Sequence, residues 1–198
     1  MIGITLATED ELSEEVGRIL TAEVHVHIDQ NLRKGGSGYL KSRISNFCKM
    51  AAHHPVLVIS DLDRQRCPSQ LIAQWLGRRE RPDQLLIRIA VREIEAWLLA
   101  DHEAMRALLK AGARRLPRDP DGLTDPKRTL LNLAERAPRQ VRDDLLPAPG
   151  ALASQGLGYN ARLCETVRAL WSPARAATLS PSLRRARERL KEFAAAWR

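Results

Sequence analysis

A chain of 198 residues, 44% of them apolar, has room for one α/β core with an extension and enough apolar surface to bury it. No run approaches the ~20 apolar residues of a membrane span, and the charge of +8, from 32 Lys and Arg against 24 Asp and Glu, favours polyanionic partners through counterion release. Charge alone does not choose DNA over RNA, and an Arg-rich composition is also what a GC-rich genome produces.

The first elements alternate strand and helix. Ile2 to Ala7 reads as a buried strand running straight into Glu9-Asp10-Glu11, a pattern unlike a signal peptide. Ser13 is placed to cap a helix over Glu14–Thr21, whose acidic first turn suits the helix dipole. Val24 to Ile28 alternates with period two, as a half-buried strand does. Gly35-Gly36-Ser37-Gly38 reads as a flexible loop before a helix from about Tyr39 to Ala52, with Leu40, Ile44 and Phe47 on one face. Pro55 to Ser60 is a continuous β-branched run, as in a parallel sheet covered on both faces. A helix fits Pro68–Leu76, a fourth strand Gln84–Ile89, and a helix Val91–Leu99.

Strands separated by helices predict a mostly parallel four-stranded sheet flanked by helices. After Asp101 helices alternate with Pro- and Gly-bearing loops, so residues 1–101 read as the α/β core and 102–198 as a helical extension. Its last helix starts at Ser180-Pro181 and carries Arg184, Arg185, Arg187, Arg189 and Lys191. Cys48, Cys67 and Cys164 are odd in number and scattered, without zinc spacing, and fit free thiols in a reducing cytoplasm. The five histidines form no ligand pattern, and no nucleophile elbow supports Ser-His-Asp catalysis.

Functional groups of open parallel sheets gather at the carboxyl ends of the strands. Here those ends are acidic: Glu9 after the first strand, Asp61 and Asp63 after the third, Glu93 and Glu95 after the fourth. An Asp-x-Asp turn with a carboxylate from a neighbouring strand suits Mg²⁺, which takes few protein ligands and keeps several waters. A turn and a helix cap are the plain alternative roles for the two aspartates. Glu93 and Glu95 fall on different faces of a helix, so one of them at most is expected at the metal, with Glu93 preferred. Trp97 reads as core. Lys34, Lys41 and Arg43 concentrate positive charge around the glycine loop, which serves either as a phosphate cradle or as a plain linker.

A glutamate after the first strand and Asp-x-Asp after the third resemble the Toprim arrangement of topoisomerases, primases and overcoming-lysogenisation-defect nucleases. More closely, the chain resembles a Toprim-like bacterial family of unknown function, related in pattern to RloB-like proteins. The matching segments are Glu9 to Glu14, Ile59 to Asp63, Arg92 to Asp101 and Asp125-Pro126-Lys127, with Glu95-Ala96-Trp97-Leu98-Leu99-Ala100-Asp101 the most specific. The resemblance implies a Toprim fold, a Mg²⁺ site at Glu9, Asp61 and Asp63 (Mn²⁺ substituting), and nuclease-like phosphoryl transfer, often in phage or mobile-element defence. Toprim proteins place glycine after the first glutamate; here Asp10 and Glu11 follow, so Glu9 and Glu11 both stand as the general base.

Two functions follow. One is a Mg²⁺-dependent nuclease in which Glu9, Asp61, Asp63 and Glu93 act at the metal and Lys127 stabilises charge on phosphate. Lys34, Lys41, Arg43, Arg184 and Arg185 would meet nucleic acid. The other is a non-catalytic module that binds nucleic acid, a partner ATPase or a second copy of the chain. Carboxylates converging beside an open cavity favour the first; carboxylates splayed or locked to arginines favour the second.

Overall fold

The computed structural model describes residues 3–33 and 36–196. Four parallel strands, β1 (Gly3–Thr8), β2 (His27–Arg33), β3 (Val56–Asp61) and β4 (Leu85–Ala90), form one sheet in the order β2-β1-β3-β4. Between them run α1 (Glu11–Glu23), α2 (Ser37–Met50) and α3 (Pro68–Leu76), and α4 (Ile94–Leu99) follows β4. The chain is therefore α/β with an all-parallel sheet.

Side chains of successive strand residues point to opposite faces, so β1 and β3, covered on both, are mostly apolar on both. Leu6, Leu57, Ile59 and Leu86 pack on one face with Leu12, Val16 and Leu20 of α1. Ala7, Val56, Val58 and Ile87 pack on the other with Leu40, Ile44 and Phe47 of α2 and Trp75 of α3. From β1 the chain steps outward to β2, then back across to β3 and on to β4. Right-handed crossovers made in opposite directions put α1 on one face and α2 and α3 on the other. Gly17 permits the close seating of α1, since a Cβ there would stand 2.8 Å from the Leu6 side chain.

Two local expectations are corrected. The cap of α1 is Asp10, whose Oδ1 accepts the Ser13 N–H at 2.8 Å, and α1 starts at Glu11. The second strand is His27–Arg33, not Val24–Ile28. Val24 closes α1, its N–H reaching Thr21 O at 3.2 Å, and His25 has φ 57. Val24 and Val26 are buried in a helix-to-strand turn, which imitates a period-two strand. The real β2 is an outer strand, mostly exposed, and needs no apolar alternation.

The remaining helices are α5 (His102–Leu109), α6 (Pro126–Ala134), α7 (Arg139–Leu145), α8 (Tyr159–Ala169), α9 (Pro173–Ala176) and α10 (Pro181–Ala196). They share the α1 face, and a single core runs from Leu86 through Trp97, Met105 and Leu163 to Leu183 and Phe193. Packing is thus continuous across Asp101. That residue is fully buried, accepts the Ser172 N–H at 2.8 Å, and is gripped by Arg175 Nε and Nη2 at 2.9 and 2.8 Å. Trp97 is core, as its neighbours require. Its Nε1–H donates to Ser182 Oγ at 2.7 Å, and its carbonyl accepts from Trp171 Nε1 at 3.0 Å. Among the described residues no helix is long and apolar enough to cross a membrane.

Candidate functional site

The sheet order reverses between β1 and β3, the position at which open α/β sheets form a crevice outside their carboxyl ends. Glu9 leaves β1 there and Asp61 ends β3. Ser60 Oγ and the Asp61 N–H (2.9 Å) both donate to Glu9 Oε1, so the carboxylate is oriented by β3. Burial raises the Glu9 carboxyl above its usual range; the two hydrogen bonds oppose this, and Asp63 and Asp10 add to it.

Asp61 is raised well above the usual carboxylate range, first by burial and then by Glu95, Glu9, Asp10 and Asp63. Its Oδ1 is buried without a hydrogen-bond partner. Asp63 differs: it is exposed, with φ 50. Its N–H donates to Arg92 O at 2.9 Å, while Arg92 Nη1 donates to Asp63 O (3.1 Å) and Gln65 O (2.7 Å). Arg92 therefore braces the Asp-Leu-Asp turn through backbone carbonyls and leaves the carboxylates free. Asp63 stands between two open cavities. One, of about 220 Å³, adjoins Asp61, Lys41 and Trp75. The other, of about 430 Å³, adjoins Arg92, Glu93 and Asp125.

Glu93 and Glu95 both approach this edge, contrary to the expectation that Glu95 faces elsewhere. Glu93 is not on the helical wheel of Glu95, because it is the extended residue before α4, with φ −136 and ψ 159. Its Oε2 accepts the Lys127 N–H at 2.9 Å, joining α4 to α6. Glu95 is buried and accepts the Tyr159 hydroxyl at 2.7 Å, while Lys127 Nζ lies 4.9 Å from the centre of the Tyr159 ring. Burial raises both glutamates, and the bonds from Lys127 and Tyr159 oppose it. Sequence reasoning missed Ser60 and Tyr159, and preferred Glu93 to Glu95. Ser60 was visible beside Asp61, but nothing local links Glu95 to a tyrosine 64 residues away.

Glu11 lies exposed in the first turn of α1, and Asp10, not Glu11, is the neighbour whose charge acts on Glu9 and Asp61. Asp10 thus serves as the cap of α1. Of the expected cations, Lys41 on α2 lines the cavity of Asp61. Arg43 is exposed, 6.0 Å from the Tyr39 ring centre, and Lys34 falls outside the described residues, as does Gly35. Gly36 (φ 89) donates its N–H to Glu9 O at 3.4 Å, and α2 starts at once, at Ser37. Arg184 and Arg185 are exposed on α10, with Arg185 beside Arg88 of β4.

Elsewhere carboxylates hold arginines: Glu14 with Arg33, Glu23 with Arg187, Asp101 with Arg175. Among the described residues none of Glu9, Asp61, Asp63, Glu93 and Glu95 makes an ion pair. Among the described residues, as placed, no three His, Cys, Asp or Glu side chains converge into a cage able to hold a metal ion. A hydrated cation that takes one or two carboxylates still fits Glu9 and the orphaned oxygen of Asp61, because it would relieve their burial and mutual repulsion.

The chain belongs to the family described as a domain of unknown function (DUF4276), which matches residues 7–172 and so takes in Glu9 through Tyr159 but not α10. No curated protein and no solved structure matches it.

Proposed function

We propose that the chain is a Mg²⁺-dependent nuclease of Toprim type that hydrolyses phosphodiesters in DNA or RNA. The observation that carries this reading is Asp61: a carboxylate at the sheet's switch point, with an orphaned buried oxygen and four acidic neighbours. Glu9 and Asp61 would hold the ion, with Asp63 at the rim. Mg²⁺ bound there supplies positive charge that polarises a phosphate and acidifies an attacking water.

The side chains around it have separate tasks. Glu9, oriented by Ser60 and the Asp61 N–H and with its carboxyl raised by burial, would act as a ligand to the ion or as the base that takes the proton of the attacking water. Lys41 on the wall of the Asp61 cavity and Lys127 over Tyr159 offer charge to the phosphate backbone. The defence setting and a partner ATPase belong to this proposal through the Toprim and RloB resemblance. Labelled DNA and RNA with Mg²⁺ or Mn²⁺ test it: intact protein should cleave at least one, and folded Asp61→Ala should not. Cleavage that persists unchanged in Asp61→Ala, or no cleavage of either polymer, overturns it.

A second reading has its own observation. Glu93 and Glu95 are already engaged by Lys127 and Tyr159, and the described residues form no ready metal cage. A non-catalytic module binding nucleic acid or a protein partner would have binding unaffected by Asp61→Ala and no cleavage.

A further inference from the structure

β4 is an outer strand, paired only with β3, and Arg88 is its one charged residue. Arg88 alternates with Leu86 and Ala90 and so faces the same side as α10. Beside it is a cavity of about 110 Å³, walled by Pro68 and Ile72 on α3 and by Ser182 and Ala186 on α10, with Arg185 on its rim. Burial pulls Arg88 down to about 10, and Arg81, Arg189 and Arg185 pull it the same way. Its Nε–H is buried with no acceptor. The acid whose charge counters this, Glu192, already pairs with Arg189 at 3.1 Å.

A guanidinium donates five N–H bonds in a planar fork and does not give up its proton, so an orphaned one calls for an oxyanion. The Ser182 hydroxyl is engaged by Trp97 Nε1 and by Ser180, which leaves recognition to the cations. At ~30 Å³ per water the cavity has room for roughly three or four waters, enough for a phosphate group and too little for a nucleoside.

We propose that this cavity is a phosphate-binding site, with Arg88 as the partly buried anchor and Arg185 as the second cation. None of the carboxylates of the candidate metal site lines it, so the inference stands apart from the nuclease reading. The ligand chemistry is a phosphate oxyanion, supplied either by a nucleic-acid backbone or by free phosphate.

The test uses the full chain, as wild type and as Arg88→Gln, Arg88→Lys and Arg185→Gln. Affinities for inorganic phosphate and for a short oligonucleotide are measured without divalent metal, at constant ionic strength set with chloride. Wild type should bind at least one ligand. Arg88→Gln and Arg185→Gln should weaken that binding by roughly tenfold or more, the loss expected for one charge-assisted hydrogen bond, and Arg88→Lys should keep part of it. If Arg88→Gln fails to fold, the exposed Arg185→Gln carries the measurement. Weakening for the oligonucleotide alone identifies the backbone as the source; weakening for inorganic phosphate alone identifies free phosphate. Equal affinity of wild type and both Gln variants for both ligands, or no binding of either by wild type, overturns the proposal.

Discussion

The hydroxyl of Tyr159, on α8, donates to the buried carboxylate of Glu95 at 2.7 Å, and Glu95 is in turn the charged group that acts most strongly on Asp61. A helix of the carboxy-terminal half therefore sets the environment of a carboxylate on the central strand. Tyr159→Phe should leave Glu95 buried without its donor. The expected cost is about 1–3 kcal/mol of folding stability, measured by urea denaturation. A change below 0.5 kcal/mol would mean that water replaces the phenol.

Asp61→Asn should stabilise the metal-free protein by about 1–2 kcal/mol, because it removes an unpaired carboxylate from a crowded acidic cluster. The same variant should lose any rise in Tm that Mg²⁺ produces in wild type. Thermal melts with and without Mg²⁺ read both effects, and full retention of the Mg²⁺ shift would move the ion elsewhere.

Glu9, Asp61, Glu93 and Glu95 all have carboxyls raised on folding. A raised acid holds its proton longer in the native state than in the unfolded chain, so folding takes up protons. Its contribution is least unfavourable at acid pH, and stability falls as pH rises from the ordinary carboxylate range through the raised folded values. Metal-free wild type should therefore lose stability upward from about pH 4 relative to Asp61→Asn, as ordinary Asp and Glu side chains titrate near 3.9 and 4.3. Parallel profiles for the two proteins would contradict the shift at Asp61.

Glu95→Gln should alter metal-dependent cleavage more than Glu93→Gln, since Glu95 is the first of the charges that act on Asp61. This reverses the order that a helical wheel predicts from Val91–Leu99. A kcat/KM loss confined to Glu93→Gln would restore the helical-wheel order.

Asp101→Ala should cost about 1–3 kcal/mol, since it leaves the Ser172 N–H without its acceptor and removes the buried end of the bridge to the part-exposed Arg175, which keeps Glu103 and the Leu170 carbonyl. Chemical denaturation measures it. A loss under 1 kcal/mol would show that the join between α4 and α9 rests on apolar packing alone.

The α/β class, the parallel sheet and the acidic strand ends were legible in the sequence because each is written locally. β1 and β3 are central strands covered on both faces and so are mostly apolar, and a carboxylate directly after a strand lies at its end whatever the rest of the chain does. Ser180-Pro181 marked α10 for the same reason: the Ser180 hydroxyl accepts the Leu183 N–H at 3.2 Å, which is a local act of capping.

What only the tertiary structure decided are matters of partners distant in the chain. An outer strand such as β2 lacks apolar alternation because one edge and much of its surface meet solvent, so the buried pair Val24 and Val26 misled the period. Glu93 became an extended cap because Lys127 on α6 holds its carboxylate, and Glu95 turned inward to a hydroxyl 64 residues downstream. Within Glu95 to Asp101, one residue faces the acidic edge, Trp97 fills the core and Asp101 clamps Arg175. The string lies on a single helix and its caps, but each of these roles is assigned by the element packed against it.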